Sequence, residues 1–432
     1  MSLSPEPARN RAEAPAAELA AIVGSGHLRP AEPADAIDGV APQQVVEPGS
    51  AQELAQVLRS ANDRGVAVVP RGGGTKLGWG NPPRRADLVL GTSRLNRVRE
   101  HAWADMTATV EAGCNVAQFQ KTLAEHGQRL ALDPLWPEHA TIGGILATND
   151  SGSLRVRFGA LRDLIIGITI ALPDGTLAKS GGKVVKNVAG FDLPKLATGS
   201  LGTLGVISEA VFRLYPLPRE TRGTSFTADS VETLNKLVLA IQDSRLAFTG
   251  LQLRAQSDAT PQLDVRFEGT PAGIDSQLGQ LIRLASTAKQ AESPGDVWSA
   301  REELWGGADA TLIAKFSVLP SQLSAACHLF APTAAALGFT WRVVAQANGL
   351  GFVRLDAPAE KSENAFPHAV ARIRGELEQL GGSLVVLHCP AGIKPQLDVW
   401  GSPGDALSLM RRLKEELDPV GILNPGRFVG GI

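Results

Sequence analysis

The stretch Val66–Gly80, VAVVPRGGGTKLGWG, constrains this chain more than any other. Its β-branched start, Val66 to Val69, reads as a strand stopped by Pro70, and three consecutive glycines then stand between Arg71 and Thr75. Glycine reaches φ > 0 and leaves the backbone uncrowded, so successive N–H groups can point at one anion. These residues suit a phosphate cradle, with a glycine-rich hairpin turn as the plainer alternative. Two familiar phosphate loops do not fit. A Walker loop ends in Gly-Lys-Ser/Thr, whereas here Lys76 follows Thr75 and precedes Leu77. A dinucleotide fingerprint on Gly72 and Gly74 needs Gly or Ala where Leu77 stands, and Gly199–Gly205, GSLGTLG, is wrongly spaced as well. NAD and ATP lose most of their support.

At 432 residues the chain is long enough for two or three domains. A net charge of -2 and few aromatic residues argue against nucleic acid as the main partner. Cys114, Cys327 and Cys389 lie far apart with no CxxC pair, so neither an iron–sulfur cluster nor a disulfide framework is encoded, and a reduced compartment is expected. The opening residues are Ala/Pro-rich with no apolar core of a signal peptide, which reads as a loose arm over residues 1–38. No uncharged apolar run is long enough to span a membrane. A cytoplasmic location is expected, with any membrane contact peripheral and made through partners.

Along the chain, Gln43–Glu47 reads as a strand and Ser50 starts a helix, with Glu53 at capping-box spacing and Leu54, Val57, Leu58 and Ala61 at helical intervals. Leu88–Leu90 and Met106–Glu111 read as strands, the latter by alternation, and Val116, Phe119 and Leu123 mark a helix closed near Gly127. Thr141–Gly152 combines paired glycines, small hydroxyls and little charge. It reads as backbone threaded close to a large, partly apolar ligand, or alternatively as a buried turn–helix junction. Leu164–Leu172 is a strand turned back by Pro173-Asp174-Gly175, and Val206–Leu214 another. From about Gly223 ordinary helix and strand patterns alternate without glycine-dense loops, which suggests an antiparallel α+β domain. A last helix, Ala406–Leu417, precedes a compact latch, DPVGILNPGRFVGG.

Five ordered motifs, PRGGGT (70–75), ATIGGILATNDSG (140–152), FGALRD (158–163), KNVAGFDL (186–193) and GSLGTLGVISE (199–209), resemble the FAD-binding family of vanillyl-alcohol oxidase and p-cresol methylhydroxylase type. DPVGILNPGRF (418–428) is similar to the C-terminal signature of its D-lactate and glycolate dehydrogenase branch, and the whole pattern looks most like the FAD-binding subunits of glycolate oxidase complexes. The resemblance implies an α+β fold: a two-subdomain FAD-binding domain over 39–219, an antiparallel α+β cap over 220–402, and a C-terminal segment, 403–432, returning to the FAD domain. It implies that Pro70, Arg71, Gly72, Gly73, Gly74 and Thr75 meet the FAD pyrophosphate. Thr141, Ile142, Gly143 and Gly144, then Thr148, Asn149, Ser151 and Gly152, line the ribityl chain, the second phosphate and part of the isoalloxazine. Gly205 to Ile207 meet the adenine end, Asn424 and Arg427 close over the ring, and Pro134 and Gly159 complete the cofactor set. Members that attach flavin covalently from this loop carry His where Thr75 stands, so non-covalent FAD is expected.

The dehydrogenase branch typically has a His-x-His pair in the cap and an acidic-His-Gly element, some members with a metal. This chain has neither, and no metal site is expected. His388 and His139 are the candidate bases, each with a structural role as the alternative; Cys389 is read as a buried residue. Lys183, Lys186 and Arg162 are candidates for positive charge near a reduced flavin, or ordinary surface charge. The favoured reading is an FAD-binding subunit of a multi-subunit glycolate dehydrogenase, with a sister flavoprotein sharing or performing oxidation of a small 2-hydroxy acid and an iron–sulfur subunit collecting electrons. A self-sufficient FAD-dependent 2-hydroxyacid dehydrogenase and a non-catalytic scaffold are the alternatives.

Overall fold

A computed structural model describes residues 14–182, 191–292, 296–307, 310–358 and 365–432. The architecture is α+β and, among the described residues, has three main sheets and a two-stranded pair, Tyr215–Pro216 with Gln128–Arg129. In the first, strands Gln44–Val46, Leu88–Gly91 and Val68–Arg71 run parallel, with Leu28–Pro30 antiparallel at the edge. The helix Ala51–Arg64 covers this sheet. Its cap is the one expected, Ser50 Oγ accepting the Glu53 N–H at 3.1 Å, but the Glu53 carboxylate takes the N–H of Gly49 at 2.7 Å instead of that of Ser50. Gly65 ends the helix at φ 66°, a left-handed cap that needs no Cβ.

The second sheet is antiparallel, in the order Val98–Ala102, Thr107–Glu111, Val206–Arg213, Ile165–Ala171, Leu177–Gly181. Thr107–Glu111 is buried at every position, so its alternating pattern does not mark a solvent face: Glu111 turns to the Arg97 guanidinium at 2.9 Å. The Pro173-Asp174-Gly175 turn does join two paired strands.

The third sheet has eight antiparallel strands running from Glu220–Thr227 to Ser383–His388. Helices Val231–Asp243, Pro271–Leu284, Leu323–Leu337 and Ala365–Gln379 pack on one face around Phe226, Phe316, Phe330 and Phe366. The opposite face presents Val344, Phe352 and Leu387 to Trp79 and Leu135 of the glycine-rich half. Between those halves lies the candidate site.

Two terminal segments depart from expectation or sharpen it. Residues 14–38 are not a loose arm: the helix Ala16–Val23 buries Leu19 and Val23 against Leu54, Leu58 and Ile422, and residues 28–38 reach the glycine loop. The chain end inserts beside the first sheet, where the Val68 N–H donates to Ile422 O at 2.8 Å and the Asn424 N–H to Val68 O at 2.9 Å. Lys414, buried in the last helix, holds that latch by donating to Asp418 Oδ2 at 2.5 Å, to Leu423 O at 2.9 Å and to Thr203 O at 2.8 Å.

Candidate active site

The strand Val68–Arg71 delivers the glycine loop into a cleft of about 480 Å³. Among the described residues, no protein acceptor takes the N–H groups of Gly72, Gly73, Gly74 or Thr75. The floor beneath them is closed: a Cβ on Gly72 lands 2.1 Å from Thr141 Oγ1, and one on Gly73 lands 1.8 Å from the His139 carbonyl oxygen. Gly74 adds a positive φ of 75°. Only glycine satisfies this geometry, and free amides on a closed floor are what an anion requires. Thr141, Gly144, Ala147, Thr148, Leu201, Asn424 and Arg427 form the other walls. A second cleft, about 390 Å³, shares Pro70, Gly72, Gly144 and Ala147 and continues past Arg71, Gly143, Gly205 and Ile207. The two make one elongated groove across both subdomains, a shape that fits an extended dinucleotide such as FAD.

Within this groove some expected residues play other parts. Thr141–Gly152 is not simply extended backbone: Ile142–Thr148 is a short helix capped by Thr141, whose Oγ1 accepts the Gly144 N–H at 3.3 Å. The Ile142 and Gly143 N–H groups donate to Cys114 O at 2.9 Å and Ala112 O at 2.7 Å, so they brace the helix and leave only their small surfaces to a ligand. Ile142 and Pro134 are buried and line neither cleft. Gly159, at φ 85°, packs on Asp163 away from the groove, and Gly152 sits against Asp133. Asn149 Oδ1 and Ser151 Oγ are buried without a partner among the described residues, two orphan groups beside the candidate cofactor wall. The Arg71 guanidinium is held by Asp35 at 2.6 Å, which reserves its peptide, not its side chain, for the ligand. Asn424, at φ 44°, donates from Nδ2 to Leu201 O at 2.5 Å and accepts from Arg427 at 3.3 Å. Lys183 and Lys186 lie outside the described residues, and Arg162 is exposed.

Apart from Arg427, the charges near the groove come from positions that motif spacing did not single out. Lys76, next after Thr75, pairs with the buried Asp150 at 3.2 Å between the Trp79 and Trp136 rings. Arg301 of the cap completes this pairing at 2.9 Å. Burial by itself raises the Asp150 carboxyl, but Arg301 and Lys76 more than reverse that and hold it below the usual carboxylate range. Arg427 is a guanidinium 3% exposed with no carboxylate partner among the described residues, and burial pulls it down to about 10. It faces the first cleft.

Lys315 stands on the strand Thr311–Ser317, paired with Phe352 and Val385 on the sheet face turned to the groove. Its ammonium has no hydrogen-bond or ion-pair partner among the described residues; burial first, then the Arg155 and Arg301 charges, lower it to about 8. Arg155 is likewise unpartnered among the described residues, and burial lowers it too. Of the expected bases, His139 contributes its carbonyl to the cradle floor while its side chain is exposed. His388 ends the strand near Lys315, exposed, with its ring 6.1 Å from Trp305; partial desolvation there, then the Lys394 and Arg354 charges, lower its pKa. Cys389 is buried, with its thiol pushed up to about 11 by burial, in keeping with a structural residue.

An amide nest between two α+β subdomains, roofed by an antiparallel cap, defines an FAD-binding oxidoreductase fold. Comparison with known proteins agrees. Residues 42–181 match the FAD binding domain model, and residues 230–428 match that of the FAD linked oxidases, C-terminal domain. The chain is 29% identical to a mitochondrial D-lactate dehydrogenase (cytochrome) of Arabidopsis thaliana, over 90% of this chain and 73% of that one. It is 26% identical to glycolate oxidase subunit GlcD of Bacillus subtilis, over 90% and 89% respectively. Among solved structures, p-cresol methylhydroxylase superposes with a TM-score of 0.74 at 15% identity over 95% of both chains, and an alkyldihydroxyacetonephosphate synthase with 0.74 at 20%, over 95% of this chain and 85% of that one. The chain carries the two domains of the FAD linked oxidases and shares the fold of p-cresol methylhydroxylase.

Proposed function

We propose that this chain holds FAD non-covalently, with the diphosphate on Gly72–Thr75, and oxidises a small 2-hydroxy acid of the glycolate or D-lactate class to the 2-oxo acid. The observation that carries the proposal is a pair of half-buried cations with no hydrogen-bond or ion-pair partner among the described residues, Lys315 on the cap sheet and Arg155 on the FAD-domain helix Arg155–Phe158 that packs against that sheet. Holding two like charges there without a partner is costly, and an anion that joins them relieves that cost. A 2-hydroxy acid offers a carboxylate for Arg155 and a hydroxyl whose proton Lys315, neutral for part of the time near pH 8, accepts. Bound FAD supplies the two-electron acceptor. Asn424 and Arg427 orient the ring end of the cofactor and hold positive charge there, and Trp79, Trp136 and Trp305 limit water between the halves.

The chain is further proposed as the FAD-binding subunit of a glycolate-oxidase-type complex, with a sister flavoprotein and an iron–sulfur subunit as partners. Similarity to subunit GlcD and the scattered cysteines support it. Any membrane contact runs through those partners; no helix among the described residues is long and apolar enough to cross a membrane. Within such a complex, Lys315 favours the division of labour in which this chain, not the sister flavoprotein, performs the oxidation. Anaerobic addition of glycolate or D-lactate to the purified chain tests it. Bleaching of the visible flavin bands is expected, and bands that persist with both acids in excess reject oxidation by this chain alone.

A further inference from the structure

Residues 28–40 precede the FAD-domain match, which begins at residue 42, yet they grip the cofactor loop at both ends. At the start of the loop, Asp35, 4% exposed, accepts from Arg71 Nη1 at 2.6 Å. The same carboxylate takes Arg29 through two bonds, at 2.7 and 2.9 Å, and the Glu32 N–H at 2.8 Å, so all its acceptor sites are used and it cannot swing away. At the far end, Asp38 accepts from Lys394 Nζ at 2.6 Å, and that ammonium also donates to the Gly78 carbonyl. Arg427 holds the flanking carbonyls of Leu77 and Trp79. Asp38 is aimed by a tight turn, Ile37–Val40, with φ 48° at Asp38 and 84° at Gly39 and mutual N–H to carbonyl bonds between Ile37 and Val40.

We propose that Asp35 and Asp38 are positioning residues for the cofactor: the strap fixes both ends of the glycine loop so that its N–H groups converge before the diphosphate arrives. Three glycines in a row are entropically costly to order, and a nest that must be ordered on binding loses affinity by that cost. Anchoring its ends removes the cost in advance. Because Lys394 belongs to the cap, the far anchor is complete only when the cap is docked, which ties retention of FAD to the cap's position.

This inference rests on the FAD reading above, and the test separates the two. Apo-protein is titrated with FAD by flavin fluorescence, and apo thermal unfolding is followed in parallel, for wild type, Asp35→Asn, Asp35→Glu, Asp38→Asn and Lys394→Gln. Expected are dissociation constants about tenfold or more weaker for Asp35→Asn, Asp38→Asn and Lys394→Gln, with partial recovery in Asp35→Glu. If Asp35→Asn does not fold, Asp38→Asn and Lys394→Gln decide. Variants that fold and bind FAD within about twofold of wild type overturn the strap's role, even if their apo unfolding midpoint falls. Wild-type protein that takes up no FAD overturns the proposed function, and this inference with it.

Discussion

Arg301 of the cap donates to Asp150 at 2.9 Å, and its other bonds end on the carbonyls of Ser151 and Asp133 at 2.9 Å each, so one cap side chain ties down three points of the segment beside the glycine loop. Both partners are buried and Lys76 shares the carboxylate. Removing Arg301 leaves Asp150 and Lys76 to balance alone in a dry setting. Arg301→Met is expected to destabilise the protein by about 3–5 kcal/mol, the usual cost of breaking a buried pair on one side, measured by denaturant unfolding. Acid adds a second check. Asp150 has its folded pKa depressed, so its stabilisation is full above the unfolded carboxyl value of about 3.9 and is lost as pH falls through the lower folded value. Stability flat between about pH 5 and 7 and falling below about pH 4 is expected, and Asp150→Asn should flatten that acid limb while lowering stability at neutral pH.

Gly73 sits where a methyl group would meet the His139 carbonyl at 1.8 Å, and backbone cannot yield as a flexible side chain does. Gly73→Ala must therefore tilt the loop and scatter its amides. FAD affinity is expected to fall on the order of 100-fold, about 2.7 kcal/mol of binding, in a fluorescence titration. Gly375 is the control. It lies exposed inside the helix Ala365–Gln379 with open space where a methyl group would stand, so Gly375→Ala should leave binding unchanged and add about 0.5–1 kcal/mol of stability.

What the sequence made legible was local. The glycine loop, the Ser50 cap and the Pro173-Asp174-Gly175 turn each depend on residues within a few positions, and the structure forms all three. The strap is hidden by the Ala/Pro-rich composition around it, although Ile-Asp-Gly-Val at 37–40 carries a strong hairpin signal of its own. Lys315 and Arg155 have no local signature. Lysine inside a strand pattern, IAKFS, looks like an outward-facing residue, and only the eight-stranded topology shows that its face is turned to the other half of the molecule. Gly159 misleads in the opposite direction, because a motif glycine suggests a ligand contact where its positive φ serves a turn.

Thr75 stands at the loop position where a histidine would permit a flavin bond, and a threonine hydroxyl offers no comparable nucleophile. Acid precipitation of yellow protein is expected to leave all flavin absorbance in the supernatant and a pellet without flavin fluorescence on a denaturing gel. A fluorescent protein band would show attachment at another residue.

Lys315, lowered to about 8, is charged at neutral pH and increasingly neutral above it. If it accepts the substrate hydroxyl proton, the rate of anaerobic flavin reduction should rise with pH and level off above about 8. Substitution separates this role from simple anion binding. Lys315→Arg keeps a cation on the same strand, but guanidinium does not lose its proton in this range. It is expected to retain substrate binding while flavin reduction slows by about 10²–10⁴-fold. Lys315→Met loses both. Instability does not explain such a loss, because a lysine with a lowered folded pKa binds fewer protons folded than unfolded between about 8 and 10.5, so its charge opposes folding at neutral pH. The Met variant should therefore unfold no more readily than wild type. An Arg variant as fast as wild type would reduce Lys315 to a charge and move the base to His388, where His388→Gln is the next substitution to measure.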